Sequence, residues 1–126
     1  MPTHLSTRAE TRDGVAILRV EGEIDLATAS PLAQALEREL TPGAALIADL
    51  TGVEFIDSAG TRALALTERA ATALGCRLLI IPSETVSHVF AMAALESVFT
   101  LCAREDDALD AARALAQPER GPTEAR

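Results

Sequence analysis

Lysine, tryptophan and tyrosine are absent from this chain of 126 residues, and each absence removes a class of function. All 11 basic residues are arginines, so neither a P-loop phosphate lysine nor a Schiff-base lysine is available. Aromatic residues make up 2% of the sequence, too few for a platform that stacks bases or sugars. The core must therefore be built from Leu, Ile, Val and Ala, which a hydrophobic content of 48% permits. Cys76 and Cys102 lack CxxC spacing and a companion histidine pair, so they read as core thiols in a reducing compartment. No apolar run approaches the roughly 20 residues that span a bilayer, and residues 1–10 lack the apolar segment of a signal peptide. A soluble, cytoplasmic chain is the expectation. Its net charge of −8 repels phosphate backbones and anionic lipid surfaces, so no direct nucleic-acid partner and no membrane insertion is expected.

What is present alternates between strand-like and helix-like stretches. Residues 8–12 and 15–21 flank Asp13-Gly14, a dipeptide suited to a tight hairpin turn, and the second stretch has the near-continuous apolar character of a buried strand. Gly22-Glu23-Ile24-Asp25 breaks that pattern. A helix is expected next, capped by Thr28 or Ser30, with Pro31 in its first turn. Ala29, Leu32, Ala33, Leu36 and Leu40 form its apolar face. Residues 46–50 read as a central strand. A second helix spans about Ser58–Leu74, with Ala59, Ala63, Leu66, Ala70 and Leu74 on its apolar face and Gly75 just past its end. A strand at 77–81 ended by Pro82, a helix at 84–94 and a short strand at 98–101 follow. A final helix at Glu105–Ala116 opens on an acidic run that suits its dipole. The expected domain covers residues 8–116, between disordered ends at 1–7 and 117–126. The fold class is α/β, a mixed sheet of four to five strands covered by about four helices. In such sheets function gathers at strand-to-helix turns on the carboxyl edge, here at 22–28 and 56–60.

The second of these turns carries Asp57-Ser58-Ala59-Gly60-Thr61. A serine opening a helix faces unpaired backbone N–H groups and the positive end of the helix dipole. A phosphate carried there would be held by those donors, and Gly60 permits close approach of the backbone. The same chemistry is satisfied by a plain alternative in which Ser58 is only the helix N-cap and Asp57 a favourable charge beside it. Residue chemistry leaves both readings open.

The segment Asp49-Leu50-Thr51-Gly52-Val53-Glu54-Phe55-Ile56-Asp57-Ser58-Ala59-Gly60 resembles the signature of STAS domains, a family of anti-sigma factor antagonists and sulphate-transporter tails. Upstream, Gly22-Glu23-Ile24-Asp25 followed by Thr28-Ala29 resembles the family's second conserved element, in register with the first. The resemblance covers roughly residues 8 to 116. It implies that Ser58 is a phosphoacceptor for an anti-sigma factor with serine kinase activity. The unphosphorylated chain would bind that factor and release its sigma factor, and a serine phosphatase would reset the cycle. It further implies a recognition face made of Asp25, Asp57, Ser58, Ala59, Gly60, Thr61 and Arg62, with no catalysis and no cofactor. Thr61-Arg62 departs from the family pattern, which most often places a large apolar residue after the glycine. Thr61 has two readings, part of a cap with Ser58 or a second hydroxyl near the site. Arg62 has three, a pair with Asp57, a pair with a phosphate, or solvent, and solvent is the expectation because surface arginines early in helices are common.

Other signals are bland beside this one. An esterase elbow would need glycine where Ile56 stands, and His4 and His88 give Ser58 no expected base. Glu23 and Asp25 invite a metal, yet a capping carboxylate explains Asp25 without further ligands, so no metal is expected. Two rival readings keep the fold and differ in function. One is a phosphorylation-independent scaffold subunit of a transport or stress-signalling complex. The other is a small-nucleotide-binding module that uses the same helix N-terminus.

Overall fold

A computed structural model of the chain describes residues 4–116. Asp13 and Gly14 both take positive φ, 54° and 79°, as a two-residue hairpin turn requires. They join β1 (Leu5–Arg12) to β2 (Val15–Ile24), which pair antiparallel from Arg12 opposite Val15 to Leu5 opposite Gly22. The chain continues through α1 (Leu26–Arg38), β3 (Ala45–Ile56), α2 (Ser58–Leu74), β4 (Arg77–Pro82), α3 (Glu84–Met92), β5 (Thr100–Leu101) and α4 (Glu105–Ala116). The five strands lie in sequence order, and every pair after the hairpin is parallel. This is the expected mixed α/β sheet with four helices.

Alternation along the central strands divides the core in two. Leu46, Ala48 and Leu50 of β3, with Leu78 and Ile80 of β4, face Leu32 and Leu36 of α1, Leu64 and Ala71 of α2, and Val86 and Phe90 of α3. The only close aromatic pair among the described residues, Phe90 stacked on Phe99 at 4.7 Å, lies in this layer. On the opposite face Ile17, Ile47, Leu79 and Ile81 meet Ala108, Leu109 and Ala112 of α4. Cys76 is buried in the first layer. Cys102 is half-buried against the second, where burial raises its thiol above the usual range.

An ion network fastens the start of α4 to the sheet. Arg19 of β2 donates to Asp49 at 2.7 Å, to Glu105 at 2.8 Å and to Glu10 at 3.0 Å, while Arg12 reaches Glu105 at 2.5 Å. Hydrogen bonds from Arg19 and then Arg12 hold the Glu105 carboxyl down at about 2. Hydrogen bonds to Glu105 first, and then to Asp49 and Glu10, raise the Arg19 guanidinium above its ordinary value.

Several boundaries differ from the sequence reading, each for a physical reason. β1 begins at Leu5 rather than at residue 8, because the hairpin ladder continues to Gly22 and Leu5 packs onto the core. The expected disorder of residues 1–7 therefore does not hold from Leu5 onward, whereas the expected tail at 117–126 lies outside the described residues. β2 runs to Ile24 and β3 to Ile56, through stretches whose glycines and acidic residues suggest breaks. Two register irregularities, between Arg19 and Glu21 and between Gly22 and Glu23, let the pair continue to Ile24 opposite Ile56. β4 follows β3 only as far as Leu50, so the last six residues of β3 project beyond it, paired with β2 alone. α3 ends at Met92 and β5 has only two residues, both shorter than expected.

Candidate functional site

The projecting ends of β2 and β3 place the two strand-to-helix turns side by side. Ile24 and Ile56 are register partners, and the Asp57 N–H donates to the Ile24 carbonyl at 3.1 Å. Each strand then passes into its helix through a single aspartate. Asp25 is the N-cap of α1: one carboxylate oxygen accepts from the N–H groups of Ala27 and Thr28 at 3.0 and 3.1 Å. The Thr28 hydroxyl oxygen accepts from the Asp25 N–H at 2.9 Å, which completes a capping box. This corrects the expected cap at Thr28 or Ser30. Thr28 is the third helical residue, and Pro31 lies inside the helix rather than in its first turn. Asp25 thus lies next to the second turn, with its carboxylate engaged in the cap.

Asp57 plays the same part for α2. Its carboxylate accepts from the Gly60 N–H at 3.0 Å, and its carbonyl accepts both the Thr61 N–H at 2.9 Å and the Thr61 hydroxyl at 3.0 Å. Ser58 is therefore the first helical residue and not the cap. Its side chain is exposed and forms no hydrogen bond among the described residues. Because Asp57 already satisfies Gly60, the first-turn donors nearest Ser58 are left to solvent or to a group attached to it. Thr61 is half-buried and committed to the backbone, Ala59 is half-buried, and Gly60 is buried. Arg62 is exposed, as expected. Replacing Asp57 by alanine removes the cap and is expected to cost about 1 kcal/mol of stability, read as a lower urea midpoint. An unchanged midpoint would mean that another group caps α2.

Beside Ser58 lies a feature absent from the sequence reading. α1 and α2 pack against each other and leave an open groove of about 340 Å³ between them. Leu26, Ala29 and Ala33 line it from α1, and Ala59, Ala63 and Leu66 from α2. Leu26 is 81% exposed and Leu66 47%, unusual for leucines that have a core to join. Helical spacing assigns Ala29, Ala33 and Leu66 to core-facing stripes, but the fold turns them towards the groove. In α2 the buried stripe is instead Gly60, Leu64, Thr67 and Ala71, with Ala63 buried between the two faces. The available signal is that α2 is apolar on two faces, more than a helix covering one sheet face needs.

The same fold and sequence features recur in known proteins. The family model described as STAS domain matches residues 6–108. Over 67 residues the chain is 39% identical to the anti-sigma-F factor antagonist RsfB of Mycobacterium tuberculosis, a match spanning 52% of this chain and 55% of that protein. The chain thus aligns with about half the length of the curated relative it matches. The crystal structure of an anti-sigma factor antagonist from Mycobacterium paratuberculosis is similar with a TM-score of 0.73 and 34% identity, over 86% of this chain and 94% of that one. The anti-sigma factor antagonist SpoIIAA in its unphosphorylated form shares the fold with a TM-score of 0.61 at 22% identity, over 86% of this chain and 97% of that one.

Proposed function

The chain belongs to the STAS domain family, and we propose that within it this protein is an anti-sigma factor antagonist that works by binding rather than catalysis. The unphosphorylated form binds an anti-sigma factor with serine kinase activity, phosphorylation of Ser58 releases it, and a serine phosphatase restores the binding form. One observation carries the reading. Ser58 is an exposed hydroxyl without a hydrogen bond among the described residues, at the first position of α2 and next to Ala59, which lines the apolar groove between α1 and α2. The anti-sigma factor covers Asp25, Asp57, Ser58, Ala59, Gly60, Thr61 and Arg62 together with that groove.

The physical chemistry supports each half of the cycle. In the unmodified chain, a small neutral side chain at the rim lets a partner close over exposed leucine and alanine surface, and apolar burial favours binding by about 25 cal/mol per Å². A phosphate on Ser58 adds roughly −1.5 to −2 charge at the same rim. Within its own chain that charge is favoured by the helix dipole and by the free first-turn donors, so α2 tolerates it. Against a partner it must be desolvated without compensation. A 100-fold loss of affinity requires only about 2.7 kcal/mol, well within one such penalty. Among the described residues no helix is long and apolar enough to cross a membrane.

Pull-downs from host lysate with Ser58→Ala and Ser58→Asp chains test this. The Ala form is expected to retain an ATP-binding anti-sigma factor and the Asp form to lose it. Equal capture of one partner by both forms would instead support a phosphorylation-independent scaffold.

A further inference from the structure

The groove between α1 and α2 is uncharged except at one point. Of the eight residues that line it, Arg62 alone carries a charge. Its side chain is exposed and, like those of Arg38, Arg69 and Arg77, forms no ion pair among the described residues, whereas Arg8, Arg12, Arg19, Arg104 and Arg113 do. Of the unpaired arginines it alone lines the groove. In a chain of net charge −8, a free arginine beside an apolar groove is a local reversal of sign. Arg62 also follows Ser58 by four residues on α2, and residues four apart on a helix lie on one face with Cβ atoms about 5–6 Å apart. The guanidinium fork can therefore reach the mouth of the groove or a group attached to the Ser58 hydroxyl. Its planar donors suit a carboxylate and a phosphate alike.

We propose that Arg62 is a counter-ion shared between these two positions. In the unmodified chain it pairs with a carboxylate of the anti-sigma factor, beside an apolar side chain of that partner which fills the groove. Phosphorylation of Ser58 withdraws it into a pair with the phosphate, one helical turn away. The inference rests on the Ser58 switch and adds the residue that selects the partner's chemistry, an apolar and an acidic side chain on one segment. Phosphorylation then acts twice: it places a dianion on the rim, and it removes the only cation the groove offers.

Phosphoserine incorporated at position 58 during translation makes the first test independent of any kinase or partner. Followed by phosphorus NMR, that phosphate is expected to ionise about 0.5 pH unit lower in the otherwise unchanged chain than in Arg62→Ala, because the guanidinium favours the dianion. Arg104→Ala removes an equal charge at the start of α4, on the other face of the sheet, and is expected to leave the value in place. In the second test, unphosphorylated Arg62→Ala is expected to bind the anti-sigma factor retained by the Ser58→Ala form about 10-fold more weakly, a loss that Arg62→Lys restores in part. Equal phosphate ionisation with and without Arg62 overturns the proposal, and so does an undiminished affinity. If phosphoserine at position 58 leaves the partner's affinity unchanged, the switch itself fails and the shared counter-ion fails with it. Equal ionisation beside a working switch overturns the counter-ion alone.

Discussion

Gly60→Val is expected to destabilise the fold by about 3 kcal/mol, lowering the thermal midpoint by roughly 10 °C. The cause is the close approach of α2 to the paired strand ends. A Cβ on Gly60 would stand 2.5 Å from the Ile24 side chain, 2.8 Å from the Ile24 carbonyl oxygen and 3.0 Å from the Ile56 side chain. The Ile24 carbonyl is already engaged, since it accepts the Asp57 N–H that joins the two turns. Backbone cannot yield there without separating the turns. Both isoleucines are nearly fully buried and have no empty space to move into. Gly60→Ala is expected to cost less, because alanine recovers about 1 kcal/mol of helix propensity. If the proposed function holds, both variants also weaken anti-sigma factor binding, since they shift Asp57 and Ser58 relative to Asp25. Urea and thermal unfolding measure the first effect. A valine variant as stable as the parent would show that the helix start has room that this packing does not.

The second large effect concerns acid stability. Glu105→Gln is expected to cost about 2 kcal/mol at neutral pH and to flatten the acid limb of the stability curve. The folded Glu105 carboxyl sits at about 2, held there first by hydrogen bonds from Arg19, against an ordinary value of 4.5. Its charged form is thus favoured in the folded chain. The stabilisation is fully present above pH 4.5 and disappears as pH falls towards 2. The full displacement corresponds to about 3 kcal/mol, and residual solvent contact reduces it, because the Glu105 and Arg19 side chains each remain 23% exposed. Arg19→Met is expected to cost more than the glutamine variant. It leaves Glu10, Asp49 and Glu105 facing one another without their shared cation. Urea unfolding of parent and variants at a series of pH values separates these terms. Parallel curves for parent and Glu105→Gln over the range from about pH 4.5 down to 2 would remove Glu105 from the account.

Much of this molecule is legible along the chain because its signals are local. Asp13-Gly14 demands a hairpin wherever it occurs between two strand-like stretches, and Gly75 takes the left-handed conformation, φ 72°, that ends α2. Apolar runs at 46–50 and 77–81 have no stable place except between two layers of helices, so the α/β class follows from them. The range of α4 and its acidic opening are likewise apparent. The Asp57-Ser58-Ala59-Gly60 segment marks a helix start, because its signals are confined to a few consecutive residues, whereas its reading as a phosphorylation site comes from the resemblance to STAS domains and not from residue chemistry.

Tertiary structure decided what depends on distant partners. That β2 and β3 continue to Ile24 and Ile56 follows from their pairing with each other, which neither stretch announces through its glycines and acidic residues. Asp57 rather than Ser58 became the cap, and Asp25 rather than Thr28 or Ser30, because the strands deliver an aspartate to each helix start at the point where the backbone leaves the ladder. Among the described residues the Ser58 hydroxyl is left without a hydrogen bond as a result. The groove had one signal in the sequence, the two apolar faces of α2, which does not say which face is covered. Ala59 and Leu66 are as apolar as Leu64 and Ala71, and only the sheet beneath and α1 alongside determine which stripe is covered. Arg19 gave no sign of meeting Glu105, 86 residues away, until the sheet and α4 brought them within 2.8 Å. Local conformational preference travels with the residue, whereas burial and ion pairing belong to whatever the fold places opposite it.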